Sequence, residues 1–194
     1  MKKYISLFII ICAAMMVSCS EESPVEGLIN TKSSVVTLNT EVAAGNTKTI
    51  TLTVNNKTLQ LQVQSNLVVA NGIEYRHCML TMLNGTGFFP VVANSIYIKG
   101  MDAGAEISAG AFSSQLYIAY LYSTSRAVNT ANYTYTSNNG MRFDQRYFVP
   151  LKVMPASNGE APIYAYLEFS IAADKVVLHK MVYRSVGSLS AGGE

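Results

Sequence analysis

The chain of 194 residues has no tryptophan, three cysteines and two histidines, and only 13% of it is charged. Each scarcity removes a class of function. The two imidazoles, His77 and His179, sit in apolar stretches and outside any metal-ligand spacing, so no metal site is indicated. Haem held by these histidines, or by one of them with Met79 or Met181, has no motif behind it, and no cofactor is expected. Asn84-Gly85-Thr86-Gly87 and the glycine-bearing stretch 100–110 lack a Gly-Lys-Ser/Thr ending, so they read as loops rather than phosphate cradles. Asp102, Asp144 and Asp174 are scattered, leaving no pair of carboxylates spaced for acid and base work. No catalytic residue is assigned, and the chain is not expected to be an enzyme.

What is present begins with a targeting signal. Lys2 and Lys3 form a positive start, an apolar run extends from Ile5 to Val17, and Met16-Val17-Ser18-Cys19 supplies a small-residue cleavage site. The run is shorter than the about 20 residues needed to span a bilayer. Met16-Val17-Ser18-Cys19 resembles a lipobox, with Met where Leu is commonest. The resemblance implies a diacylglycerol thioether on Cys19 and, after cleavage, an acylated amine, which together anchor a protein stably. Ser20-Glu21-Glu22 resembles the acidic export signal of Bacteroidetes-type lipoproteins. That likeness implies the outer membrane, lipid-anchored and facing the cell surface.

Removing Lys2 and Lys3 with the signal turns 14 Lys and Arg against 12 Asp and Glu into 12 against 12. A near-neutral mature domain has no basic surface for phosphates, so nucleic-acid binding is excluded as an expectation. Cys12 lies in the apolar run and Cys19 is the lipid site, which leaves Cys78 alone. No disulfide framework follows, and a thiol in Tyr75-Arg76-His77-Cys78-Met79-Leu80 reads as a small buried hydrophobe. His77 and Cys78, adjacent on a strand, would point to opposite faces and so would not form a nucleophile and its base.

The body of the chain repeats with period two. Ile50, Leu52 and Val54 alternate with Thr49, Thr51 and Thr53; after Asn55-Asn56, Leu59, Leu61 and Val63 alternate with Gln60, Gln62 and Gln64, which predicts a hairpin. Further strands are expected over Ile73 to Leu83, Ser95 to Lys99, Leu116 to Thr124, Asn132 to Thr136, Met141 to Val153, Ile163 to Ile171 and Lys175 to Arg184. Pro150 is expected at a sheet edge or bulge, since it cannot donate to a ladder. The organisation is therefore a signal peptide over 1–18, lipidated Cys and polar tether over 19–32, one all-β domain over 33–185 and a flexible tail over 186–194. Many short strands between Gly, Asn and Ser turns indicate an antiparallel β-sandwich or β-barrel. Asn132-Tyr133-Thr134-Tyr135-Thr136 and the stretch 183–189 resemble small β-rich lipoproteins of the same bacteria, whose activity is unknown.

Tyrosine is the remaining clue, with 12 in the chain. Most suit strands for their own sake. Tyr164 and Tyr166, opposite Ile163, Ala165 and Leu167, are the candidates for a binding face, with Arg142 or Arg146 beside them. The expected function is non-catalytic binding of a glycan or other small molecule. The alternative is a structural or pilus-accessory subunit that meets envelope proteins through a sheet edge.

Overall fold

A computed structural model describes residues 33–155, 159–184 and 189–192. The signal run, Cys19 and the export residues Ser20, Glu21 and Glu22 lie outside the described residues. The strands are β1 (Ser34–Ala43), β2 (Asn46–Val54), β3 (Lys57–Ala70), β4 (Ile73–Leu83), β5 (Gly87–Pro90), β6 (Glu106–Ile107), β7 (Gln115–Leu116), β8 (Ile118–Ala127), β9 (Thr134–Tyr135), β10 (Gln145–Val153), β11 (Ile163–Ile171), β12 (Lys175–Arg184) and β13 (Leu189–Ser190). A 3-10 turn covers Ala109–Phe112.

Two antiparallel sheets result, one of six strands in the order β1-β12-β11-β10-β5-β7 and one of five in the order β2-β3-β4-β8-β9. A small β13-β6 ladder lies apart from both. Leu52, Leu61, Leu80 and Leu121 from one sheet and Val149, Leu167, Phe169 and Met181 from the other share one buried core. The all-β expectation is met by a sandwich, and the sheets do not close into a barrel.

Local chemistry sets the hairpins. Ile50 pairs with Leu61 and Leu52 with Leu59, so the apolar half of each alternation meets on one face. Asn55 and Asn56 both hold positive φ, 48° and 63°, which is the backbone of the primed two-residue turn that matches strand twist. Asn71 and Gly72, at 54° and 75°, repeat the device between β3 and β4.

Several elements differ from the sequence reading. β3 continues to Ala70, where Leu67, Val68 and Val69 no longer alternate because β2 begins only at Asn46, opposite Ser65, and both faces beyond that point are exposed. β1 is an additional strand whose pattern is interrupted at Asn39, with φ 40°, where one extra residue bulges against β12. Ser95 to Lys99 forms only isolated bridges, Ile98 with Val91 and Tyr97 with Tyr120. The run from Leu116 to Thr124 is divided between sheets, since Leu116 pairs with Phe89 and Ile118 with Thr81. Strand pairing after Asn132 is confined to Thr134–Tyr135, and β10 starts at Gln145 because Asp144 turns the chain at φ 61°.

Pro150 is in a strand that is internal by order, yet β5 pairs only with Lys152 and Val153, and Met101 bridges Phe148. Proline therefore occupies the gap between them, where no ladder partner asks for its missing N–H. The tail departs from expectation too: Leu189 and Ser190 pair with Ile107 and Glu106, and Leu189 and Ala191 are buried.

Candidate functional site

The outward faces of the two sheets are treated oppositely. On the six-stranded sheet, Tyr164, Tyr166 and Glu168 do alternate with core residues, but a roof of loop and tail covers Tyr166 and reaches Tyr164. Ile107, Phe112, Leu189 and Ala191 pack on Tyr166 and Val182, with Phe148 and Tyr164 at the margin. Tyr166 is 0% exposed. The candidate face of Tyr164 and Tyr166 is thus corrected: three large apolar side chains in otherwise polar segments gain by burying themselves there, and they take the surface with them. Arg146 lies on that sheet with Nη1 2.6 Å from Oε1 of Glu168. Arg142 is elsewhere, before β10, its guanidinium 4.4 Å from the centre of the Tyr135 ring.

On the five-stranded sheet the outward face is more open: Thr47, Thr49, Thr51 and Thr53 are exposed and Gln60, Gln62 and Gln64 half-buried, although Thr81 is buried. Register places Thr47, Thr49, Thr51 and Thr53 of β2 beside Gln64, Gln62, Gln60 and Thr58 of β3. Gln62 in turn neighbours Thr81, Gln64 neighbours Met79 and Asn66 neighbours His77 on β4. Tyr120 follows Met79, and Ser123 follows His77, on β8. Asp, Glu, Lys and Arg are absent from these outward positions; the strands' charged Lys48, Lys57, Glu74, Arg76 and Arg126 stand in the alternate register, with the core side chains. The ring of Tyr120 has its centre 5.7 Å from His77 and 5.9 Å from Tyr97. The face is hydroxyls and amides over β2 and β3, and Met79, Ile118 and a row of three rings toward β8.

Burial lowers the pKa of His77, so the imidazole on this face is neutral at neutral pH, and Nδ2 of Asn66 lies 3.0 Å from its Nε2. His179 belongs to the other sheet, with Nε2 2.6 Å from Oγ of Ser170, and burial lowers its pKa as well. Cys78 points into the core and its thiol pKa is raised by burial, which keeps it protonated and separates it from His77. Among the described residues no cluster of His, Cys, Asp and Glu has the makings of a metal centre. The open face can hydrogen-bond and stack, and His77 is its titratable imidazole.

A second polar assembly went unread in the sequence. Glu74 and Arg76, two apart on β4, share the inward face just past the apolar core, and β8 adds Arg126 opposite Glu74. Oε2 of Glu74 is 3.1 Å from Nη2 of Arg126, Oε1 accepts from the hydroxyl of Tyr133 at 3.0 Å, and Arg76 Nε donates to Oε1. The Arg126 guanidinium stacks 4.6 Å from the Tyr133 ring centre. Burial alone would raise the Glu74 pKa; the hydrogen bonds from Arg76, Arg126 and Tyr133 outweigh it and hold the pKa at about 2. The i, i+2 spacing of Glu74 and Arg76 was the available sign, while Arg126 and Tyr133 are joined to them only by strand register. This cluster caps the open end of the core beside a depression of about 580 Å³ lined by Tyr133, Tyr135, Phe143 and Asp144.

Compared with protein families, curated proteins and solved structures, the chain matches none.

Proposed function

We propose that this chain is a lipid-anchored lipoprotein of the bacterial outer membrane, facing the cell surface, that binds a saccharide without catalysis on the outward face of its five-stranded sheet. The observation that carries the reading is that open face, uncharged at every outward strand position and set with threonine, glutamine and tyrosine. Tyr164, Tyr166, Arg142 and Arg146 have no part in the site.

Two measurements test this. Labelling cells with a palmitate analogue should mark the wild-type chain and not Cys19→Ala, whose unprocessed form loses surface exposure to protease. Wild-type protein should be retained on immobilised polysaccharide, and Gln62→Ala with Gln64→Ala together should release it. Retention indifferent to both glutamines would sink the face as the site.

A second reading, assembly through a sheet edge, is favoured by one feature. Counting hydrogen-bonded pairs out from the two-residue turns, Leu67 and Val69 turn their N–H and C=O groups away from β4, toward the side where β2 has already ended. Asn66 to Ala70 carries no charge, proline or bulge to guard that edge, and Val68 and Val69 are 50% and 59% exposed. Such an edge accepts an extended strand.

A further inference from the structure

We infer that the ligand is an uncharged polysaccharide chain lying across the strands of the open face, about one sugar to each of β2, β3, β4 and β8. The inference rests on the saccharide reading of that face and adds the charge, the direction and the length. Charge comes first. An ionised ligand leaves water at a cost unless fixed opposite charges receive it, and the outward rows Thr49-Gln62-Thr81-Ile118 and Thr47-Gln64-Met79-Tyr120 offer none.

Group chemistry comes next. Each glutamine presents two amide donors and a carbonyl acceptor, and each threonine hydroxyl can do either, which is the mixed pattern that sugar hydroxyls satisfy. A protein partner would be anchored instead by buried aromatics and arginine, with the centre of its interface drawn from apolar side chains. Here the centre is Gln62 and Gln64 with Thr81 and Met79 beside them, a single apolar side chain among polar ones, and the rings of His77, Tyr120 and Tyr97 stand to one side.

Direction follows from spacing. Neighbouring strands are about 4.8 Å apart, whereas successive outward side chains along one strand are about 6.7 Å apart. The smaller repeat is close to the advance of one hexose in an extended chain, so a chain laid across the strands stays in step with them, hydrogen-bonding over β2 and β3 and packing on Met79 and Tyr120 over β4 and β8. A chain laid along β3 would fall out of step with Gln60, Gln62 and Gln64 after one or two units. Four strands of this sheet carry outward side chains in each of the two rows, so about four sugars fill it. Tyr120, at the β8 end, then stacks against the last of them, as a ring does against the apolar face of a sugar.

The test uses the full chain extracted from membranes in detergent and titrated calorimetrically. The probes are cello-, manno- and xylo-oligosaccharides of two to six units, with oligogalacturonides of the same lengths as the acidic counterpart. In at least one neutral series, affinity should rise about tenfold between two and four units and level off beyond, and the acidic series should bind about tenfold more weakly. Gln64→Glu, which puts a charge in the middle of the face, should cost about tenfold in affinity for the neutral chain while the thermal midpoint stays put. Gln62→Ala is the milder companion should Gln64→Glu disturb folding. If acidic chains bind as well, or two units bind as tightly as four, while Gln62→Ala still weakens binding, the uncharged chain across the strands is wrong and the face survives. If neither series binds, or neither variant alters binding, both fall.

Discussion

The hydroxyl of Tyr133 donates a 3.0 Å hydrogen bond to Glu74, 59 residues earlier in the chain, and closes a cage that two arginines begin. Because the carboxyl is held at about 2 when folded against 4.5 unfolded, its contribution is complete above pH 4.5 and drains away as pH falls toward 2. The shift corresponds to about 3 kcal/mol. Urea unfolding at pH 7 and pH 3 should show about 2 kcal/mol of that loss in the wild type, the remainder falling below pH 3. Glu74→Gln should lack it, at a stability about 3 kcal/mol lower at pH 7 with two guanidinium groups left beside a neutral amide. His77 and His179, whose pKa values are lowered in the fold, lose their share as pH drops below 6.5, and they do so equally in both proteins. An identical pH profile for the two would remove Glu74 from the account.

Leu189 is the peg that holds the roof over Tyr166. Both belong to one small apolar cluster with Ile107 and Phe112. Leu189→Ala should cost about 2 to 3 kcal/mol of local stability. Faster hydrogen exchange at Ile107, with β8 unaffected, is the reading to look for, and unaltered exchange there would show that the tail does not hold the roof.

Cys78 should ignore thiol reagents in the native protein, because it is fully buried and its pKa is pushed up by burial. Labelling with iodoacetamide is expected only on unfolding, at a rate that follows global opening. Rapid labelling of the folded chain would contradict the packing of β4.

Asn56 holds φ 63° in the β2–β3 turn, a conformation that glycine adopts without cost. Asn56→Gly should therefore stabilise the protein by about 0.5 kcal/mol, giving the favoured Asn-Gly form of the primed turn. Thermal unfolding at constant pH is sufficient, and a lower midpoint would mean that Asn56 contributes something its backbone does not explain.

The free edge of the β3–β4 hairpin has its own signature. Amides of Leu67 and Val69 should exchange rapidly in the isolated protein while those of Val68 and Ala70, directed at β4, are protected. Equal protection of all four would show that the edge is already occupied.

Period two in Ile50-Leu52-Val54 and in Ile163-Ala165-Leu167-Phe169-Ile171 was sufficient to identify strands and their buried sides, since alternation is a local property of an extended chain. It failed where tertiary context intervened. Asn39 and Asp144 take left-handed backbone angles that break or end a strand. Leu116 and Ile118 read as one run although the chain changes sheets between them. Gln60, Gln62 and Gln64 were legible as an outward row, and so were Tyr164 and Tyr166; both satisfied the same rule, and only one remained outside.

By itself the sequence determined an all-β chain with a lone core thiol, hairpin turns at asparagine and a nearly balanced charge, because these depend on residue type and on neighbours one or two positions away. Tertiary structure alone decided which outward face is surface. Leu189 and Phe112, far from β11 in the chain, pack over Tyr166, and that cluster leaves Gln62 on the other sheet uncovered. Burial of that kind is settled by what else can reach a face, a quantity summed over the whole fold rather than written in any one strand.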